Sequence, residues 1–344
     1  MTSAHAYFDA TLATFAAVAE RLPVTTRTFC IAGRVVSIAC AGPQMARVLF
    51  PALTHLEIDP ATAGPADLRI VAWDGAESGV RPPPSALTAV DENSQGRVVD
   101  PSARVYGRFI ADSGLLSLLD DATGMGIYWT RCAAGLPTYV WGAPLLTLFH
   151  WWGTHRGMLM VHAGCIGEGE RGLLLAGKSG SGKSTTSLLC LRAGMRYVSD
   201  DYCLVAFTPE PVAYSLYSVG KLARDHLHNF PDLERISTDP NPDPFNKPVC
   251  FLAEHFPQQM AARLSPRALL LPRVTGQALT TIRPVPRMAA LRALAPSSLF
   301  QLPDPSATTL AGLSRLARML PAAELQLGDL ATVVPTLRDF ITTT

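Results

Sequence analysis

Residues 177–185 read Gly177-Lys178-Ser179-Gly180-Ser181-Gly182-Lys183-Ser184-Thr185 and fit the phosphate-binding pattern G-x-x-x-x-G-K-[ST] at every fixed position. A di- or triphosphate carries several negative charges and needs many donors at short range. Glycines in the loop let successive backbone N–H groups turn toward the phosphate oxygens. A helix starting near Lys183 adds the positive end of its dipole. Lys183 supplies a point charge for the β- and γ-phosphates, and the Ser184 hydroxyl suits Mg²⁺. ATP and Mg²⁺ are the implied ligands.

A second cluster follows one helix later. Arg196 to Val205 reads as a strand carrying the adjacent acids Asp200 and Asp201. Loop enzymes of this kind hold their metal with the loop Ser/Thr and an acid on a neighbouring strand. Adjacent strand residues point to opposite faces unless the strand ends or twists there. The pair therefore suits a division of labour, one carboxylate for Mg²⁺ and one as general base toward an attacking hydroxyl. Lys221, Arg267, Arg273, Arg283 and Arg287 are further cations that could assist, and nothing in the sequence chooses among them.

The elements that must position these groups are legible around them. Gly172 to Ala176 is a short apolar run before the loop and reads as a buried strand. Thr186 to Ala193 reads as the helix after it, with Gly194 as its C-terminal cap. Met158 to Ile166, which contains His162, reads as one strand, and Ala268 to Leu271 as another. Leu136 to Arg156 is expected to be a helix. Phe230 to Lys247, rich in Pro and Asp, is expected to be a long surface loop, either a plain connection or a clamp beside the site. Met288–Ala295, Ser306–Met319 and Leu330–Ile341 are the C-terminal helix candidates.

Upstream, an amphipathic helix within Met1–Leu22 precedes β-like runs: Thr28–Cys40 with a hairpin or a bend at Gly33, Asp67–Trp73, Val98–Ile110 and Leu115–Tyr128. Gln44–Phe50 reads as a short helix, and Arg81–Pro84 as a proline-rich loop. The expected fold is α/β. A P-loop kinase domain at 135–344 would follow a smaller, mainly-β (α+β) domain at 1–134, with a substrate-binding or scaffold role.

Net charge is +1 and charged residues make up 17%, so no electrostatic footprint for nucleic acid is present. No targeting segment is expected at the N-terminus. The most apolar stretch, Trp141–Ile166, is interrupted by His150, His155, Arg156 and His162, against the roughly 20 apolar residues a membrane span requires. Seven scattered cysteines without a C-x-x-C pair read as reduced thiols of a cytoplasmic protein.

His162, the 177–185 loop and Tyr197-Val198-Ser199-Asp200-Asp201 together resemble the catalytic core of the bacterial HPr kinase/phosphorylase family, over residues 158 to 206. The arginine- and glycine-rich signature by which that family recognises its carrier protein is missing. The chain looks more like the HPr-kinase-like serine kinases of ribosomal peptide pathways. Among these are the lasso-peptide tailoring kinases, which phosphorylate a serine at the precursor's C-terminus. The resemblance implies an HPr-kinase-type fold, ATP and Mg²⁺, and a peptide or protein acceptor, with homo-oligomerisation left open. It also implies that Asp200 is the general base, that Ser184 and Asp201 are metal ligands, that Lys183 stabilises the transferring phosphoryl group, and that His162 lies near the reacting centre. A small-metabolite kinase and a nucleotide-gated binding module or chaperone are the alternatives. Metabolite kinases usually carry D-x-D rather than adjacent acids and are shorter.

Overall fold

The computed structural model describes residues 4–84, 96–100, 104–207, 209–243, 247–302 and 307–344. It is a mixed α/β protein with mixed sheets, divided into two compact units. One comprises Met1–His155 and Asp239–Asn246; the other comprises Arg156–Thr238 and Lys247–Thr344.

In the first unit, the helix Ala4–Ala19 buries Phe8, Phe15 and Val18 against a sheet whose core includes Trp73, Leu116, Ile127 and Trp129. Among the described residues this sheet runs, strand by strand across it, Val24–Ile31, Arg34–Ala41, Leu68–Asp74, Met125–Thr130, Leu115–Asp120, Val105–Ile110 and Gly96–Asp100. The first hairpin closes at Ala32-Gly33, both with positive φ, as a tight two-residue turn requires. Parallel pairing joins Leu68–Asp74 to both of its neighbours. Of the run expected at Val98–Ile110, residues 101–103 lie outside the described residues.

This unit extends past residue 134. The helix expected over Leu136–Arg156 is two helices, Thr138–Gly142 and Leu146–His155. Pro144 and a positive φ of 59° at Leu145 break it. The second helix stays with the first unit because Trp152 Nε1 donates to Asp67 Oδ2 at 2.7 Å. The Pro/Asp-rich segment is likewise not a free loop. Pro231–Ile236 is a short helix and Ser237–Thr238 a short strand. The Thr138 hydroxyl then donates to Asp239 Oδ1 at 2.6 Å. The Asn241 side-chain amide donates to the carbonyls of Ala134 and Leu136, both at 2.7 Å. Residues 244–246 lie outside the described residues.

The second unit is a helix–sheet–helix sandwich. Residues of the strand Arg171–Leu175 and its continuation alternate between two cores. Leu173 and Leu175 enter one with the loop helix Lys183–Arg192 and the last helix Leu330–Thr343. Leu174 and Ala176 enter the other with the helices Arg287–Phe300 and Ala307–Met319. Ser306 of the expected helix lies outside the described residues. The central strand is antiparallel to Gly164–Glu168 and parallel to Arg263–Val274, which is in turn parallel to Ala322–Leu327. Arg196–Ser199 is antiparallel to Gly164–Glu168 and hence parallel to the central strand. The C-terminal ends of four parallel strands therefore share one sheet edge, where ligands of open α/β sheets bind.

All seven cysteines are free thiols. Among the described residues no helix is long and apolar enough to cross a membrane.

Candidate active site

The loop follows the buried strand Arg171–Leu175 and leads into the helix Lys183–Arg192, as its sequence requires. Gly182 has φ +105°, which favours glycine, and its Cα packs against the Leu327 side chain. Lys183 is buried. Its Nζ donates to Gly177 O at 2.6 Å and to Lys178 O at 3.2 Å, which holds the ammonium across the loop. Burial lowers its pKa, and the nearby carboxylates of Asp201 and Asp200 oppose that shift. Ser181 Oγ is buried inside the loop with no hydrogen-bond partner among the described residues.

The acidic stretch is not one strand. Arg196–Ser199 ends at the acids and Tyr202–Phe207 begins after them, so Asp200 and Asp201 form a bend. Met158–Ile166 splits in parallel fashion at Ala163, whose carbonyl accepts from the Ser199 hydroxyl at 2.9 Å. Its first half, Leu159–His162, pairs with Tyr202–Phe207, and its second half, Gly164–Glu168, pairs with Arg171–Leu175 and Arg196–Ser199. The register sets His162 opposite Tyr202, with ring centroids 5.0 Å apart. His162 Nε2 thereby meets Asp201 Oδ1.

The bend sends the two carboxylates to different partners. Asp200, buried, accepts from the Ser184 hydroxyl and from the Lys221 backbone N–H at 2.9 Å. Asp201 accepts from Lys221 Nζ at 2.6 Å and pairs with His162. The Ser184 hydroxyl lies with Asp200. A continuous strand would have turned the acids to opposite faces. Because the strand stops, both reach Lys221, one through its backbone and one through its side chain.

Their electrostatics diverge. Burial, and then the charge of Asp201, raises the Asp200 pKa from 3.8 to about 6, against the hydrogen bonds from Lys221 and Ser184. Asp201 is also opposed by burial, but the charges of Lys221 and His162 outweigh it and hold the carboxyl well below the usual range.

Lys221 is a residue the sequence names only as one of several loose cations. Its place is set by packing. Gly220 lets the strand Val219–Lys221 close on the loop helix, since a methyl there would lie 2.6 Å from Leu188 Cδ2. The buried Tyr197 hydroxyl donates to Val219 O at 2.7 Å and fixes the same strand. The other cations do not join the acids: Arg267 pairs with Glu210, Arg273 with Glu324, Arg283 lies near Glu324, and Arg287 opens its helix. Removing Lys221 leaves Asp201 with His162 as its remaining partner. Lys221→Met is expected to cost about 2 kcal/mol at pH 7, less than a fully buried pair because Asp201 is partly exposed. Urea titration checks this; an unchanged midpoint would show that the pair does not stabilise the fold.

No protein-family model matches the chain, and no curated protein does. Among solved structures, the HPr(Ser) kinase/phosphatase from Coxiella burnetii is similar over 54% of this chain and 97% of that chain. The two are 8% identical, with a TM-score of 0.31.

Proposed function

We propose that the chain is an ATP- and Mg²⁺-dependent serine kinase whose acceptor is a peptide or protein, with the C-terminal serine of a lasso-type precursor as the preferred candidate. The observation that carries this reading is the acidic bend, bonded to Ser184 of the phosphate loop through Asp200 and to Lys221 and His162 through Asp201. A nucleotide-gated binding module needs the loop and one acid, but not a second carboxylate held ionised beside them.

The residues fit Mg²⁺. Ser184 and Asp200 offer hard oxygen donors on adjoining elements, and these two would hold it. When bound, the metal neutralises charge on the β- and γ-phosphate oxygens. Ser181 Oγ, orphaned within the loop, can donate to a phosphate oxygen. Lys183 brings its ammonium to the same place. The acceptor hydroxyl oxygen bonds to the γ-phosphorus as the bond to the ADP oxygen breaks, and the hydroxyl proton passes to Asp201. This reverses the division of the acids that the resemblance implies. Lys221 and His162 act on Asp201 as positioning residues. The site works by placement and charge neutralisation.

Mass spectrometry of the protein with ATP, Mg²⁺ and serine-containing peptides tests the reading. The expected result is one phosphate gained on a peptide serine and none with Lys183→Ala. Labelling of small hydroxylated metabolites alone would support a metabolite kinase instead. ATP turnover without any acceptor would support a nucleotide-driven module.

A further inference from the structure

The two most exposed large apolar side chains among the described residues, Leu279 at 67% and Val274 at 65%, lie in one short stretch. The strand Arg171–Leu175 ends where Leu175 pairs with Leu270. Its parallel neighbour continues four residues further, to Val274, which pairs with Leu327. This overhang runs beside the phosphate loop. The side chain of Leu327 touches the Gly182 position, and Val274 Cγ2 lies 3.8 Å from where a Gly182 side chain would begin.

The turn beyond is tightly built. Thr275 N–H and its hydroxyl both donate to Leu327 O, at 3.2 and 2.9 Å. Asp329 N–H donates to Ala278 O at 3.2 Å, and Gly328 N–H to the Thr280 hydroxyl at 3.0 Å. Gly328 admits no side chain, because a methyl would lie 2.5 Å from the Leu279 carbonyl carbon. Leu330, 45% exposed, follows directly. Exposed aliphatic side chains are thus held on a rigid knot rather than on a loose loop.

Position across the sheet assigns an occupant. Arg196–Ser199, which ends at the acids, lies two strands to one side of the central strand. Ala322–Leu327 lies two strands to the other side, each offset being roughly 10 Å at ordinary strand spacing. The phosphate loop sits between them. A nucleotide whose terminal phosphate faces the acids therefore directs its other end toward Val274, Leu279 and Leu330. A nucleobase has two apolar faces and gains by covering such methyl groups.

We propose that Val274, Leu279 and Leu330 form the seat of a nucleobase whose phosphates occupy the adjoining loop. The inference rests on the nucleotide reading above and adds where the base is held.

Isothermal titration of the full chain with Mg²⁺-ATP and, separately, inorganic tripolyphosphate tests it. The variant is Val274→Ser/Leu279→Ser, both at exposed positions. ATP affinity is expected to fall about tenfold, the size that losing one buried aliphatic contact gives, while tripolyphosphate affinity stays within about twofold. Retained tripolyphosphate binding also shows that the variant is folded. Unchanged ATP affinity overturns the base seat alone, as does an equal loss for both ligands, which would mean that the turn only shapes the loop. If the parent chain binds neither ligand, the nucleotide reading falls and takes this inference with it.

Discussion

An Asp201→Asn protein is expected to bind Mg²⁺-ATP within about threefold of the parent and to transfer phosphate at least about a hundredfold more slowly. The separation follows from what Asp201 touches. Its partners are Lys221 Nζ and His162 Nε2, on two strands outside the phosphate loop. The loop keeps its own contacts, Lys183 to Gly177 O and Lys178 O, and Ser184 to Asp200. Asparagine preserves the shape and can still accept from Lys221, but it cannot take the acceptor proton. Stability should fall as well. The folded pKa of Asp201 lies below its ordinary value of 3.8, so its stabilising contribution is present above that pH and is lost on acidification. The asparagine variant is therefore less stable than the parent at pH 7, and the gap starts to close only as pH falls below about 4. Single-turnover phosphoryl transfer and nucleotide titration together check the claim. Full transfer in Asp201→Asn would place the proton elsewhere and return the base role to Asp200.

The parts legible in the sequence are those whose chemistry is local. The loop is nine consecutive residues, and its strand and helix sit immediately on either side. The acids and His162 are legible as residues, but their geometry is not. Whether Asp200 and Asp201 face one region or two depends on the strand stopping at Ser199. Arg196–Val205 carries β-favourable residues on both sides of the acids, so its pattern reads as continuous; the break arises because its two halves pair with different strands, Gly164–Glu168 and Leu159–His162. Lys221 is not singled out from the other cations for a related reason. It follows Gly220, and only the contact with Leu188 on the loop helix explains why a glycine there matters. The Pro/Asp-rich segment looks solvated because its partners, Thr138 and the carbonyls of Ala134 and Leu136, lie about a hundred residues away in the chain. Exposed Val274 looks like an ordinary strand-end residue until the parallel register places it beside Gly182.

Asp200→Asn should do the opposite to stability while also lowering activity. Asp200 is 2% exposed, and burial, then the charge of Asp201, raises its pKa from 3.8 to about 6. A folded pKa above the unfolded one means that the ionised form costs the fold. The cost is absent below about pH 4 and complete above about pH 6. Asparagine is neutral throughout and keeps an oxygen for Ser184 and the Lys221 N–H. The variant is therefore expected to be more stable than the parent by on the order of 2 kcal/mol at pH 8 and equal to it near pH 4. Its activity should fall at least about a hundredfold, because the carboxylate proposed to complement Ser184 toward Mg²⁺ is gone. Excess Mg²⁺ or Mn²⁺ should restore part of that loss, and should restore nothing in Asp201→Asn. Neighbouring acids would then give stability changes of opposite sign at pH 8 and opposite responses to metal. Equal destabilisation by both substitutions would mean that Asp200 carries no burial cost. Equal rescue by metal would mean that the two carboxylates share one role, as joint ligands, and that the acceptor proton is taken by some other group.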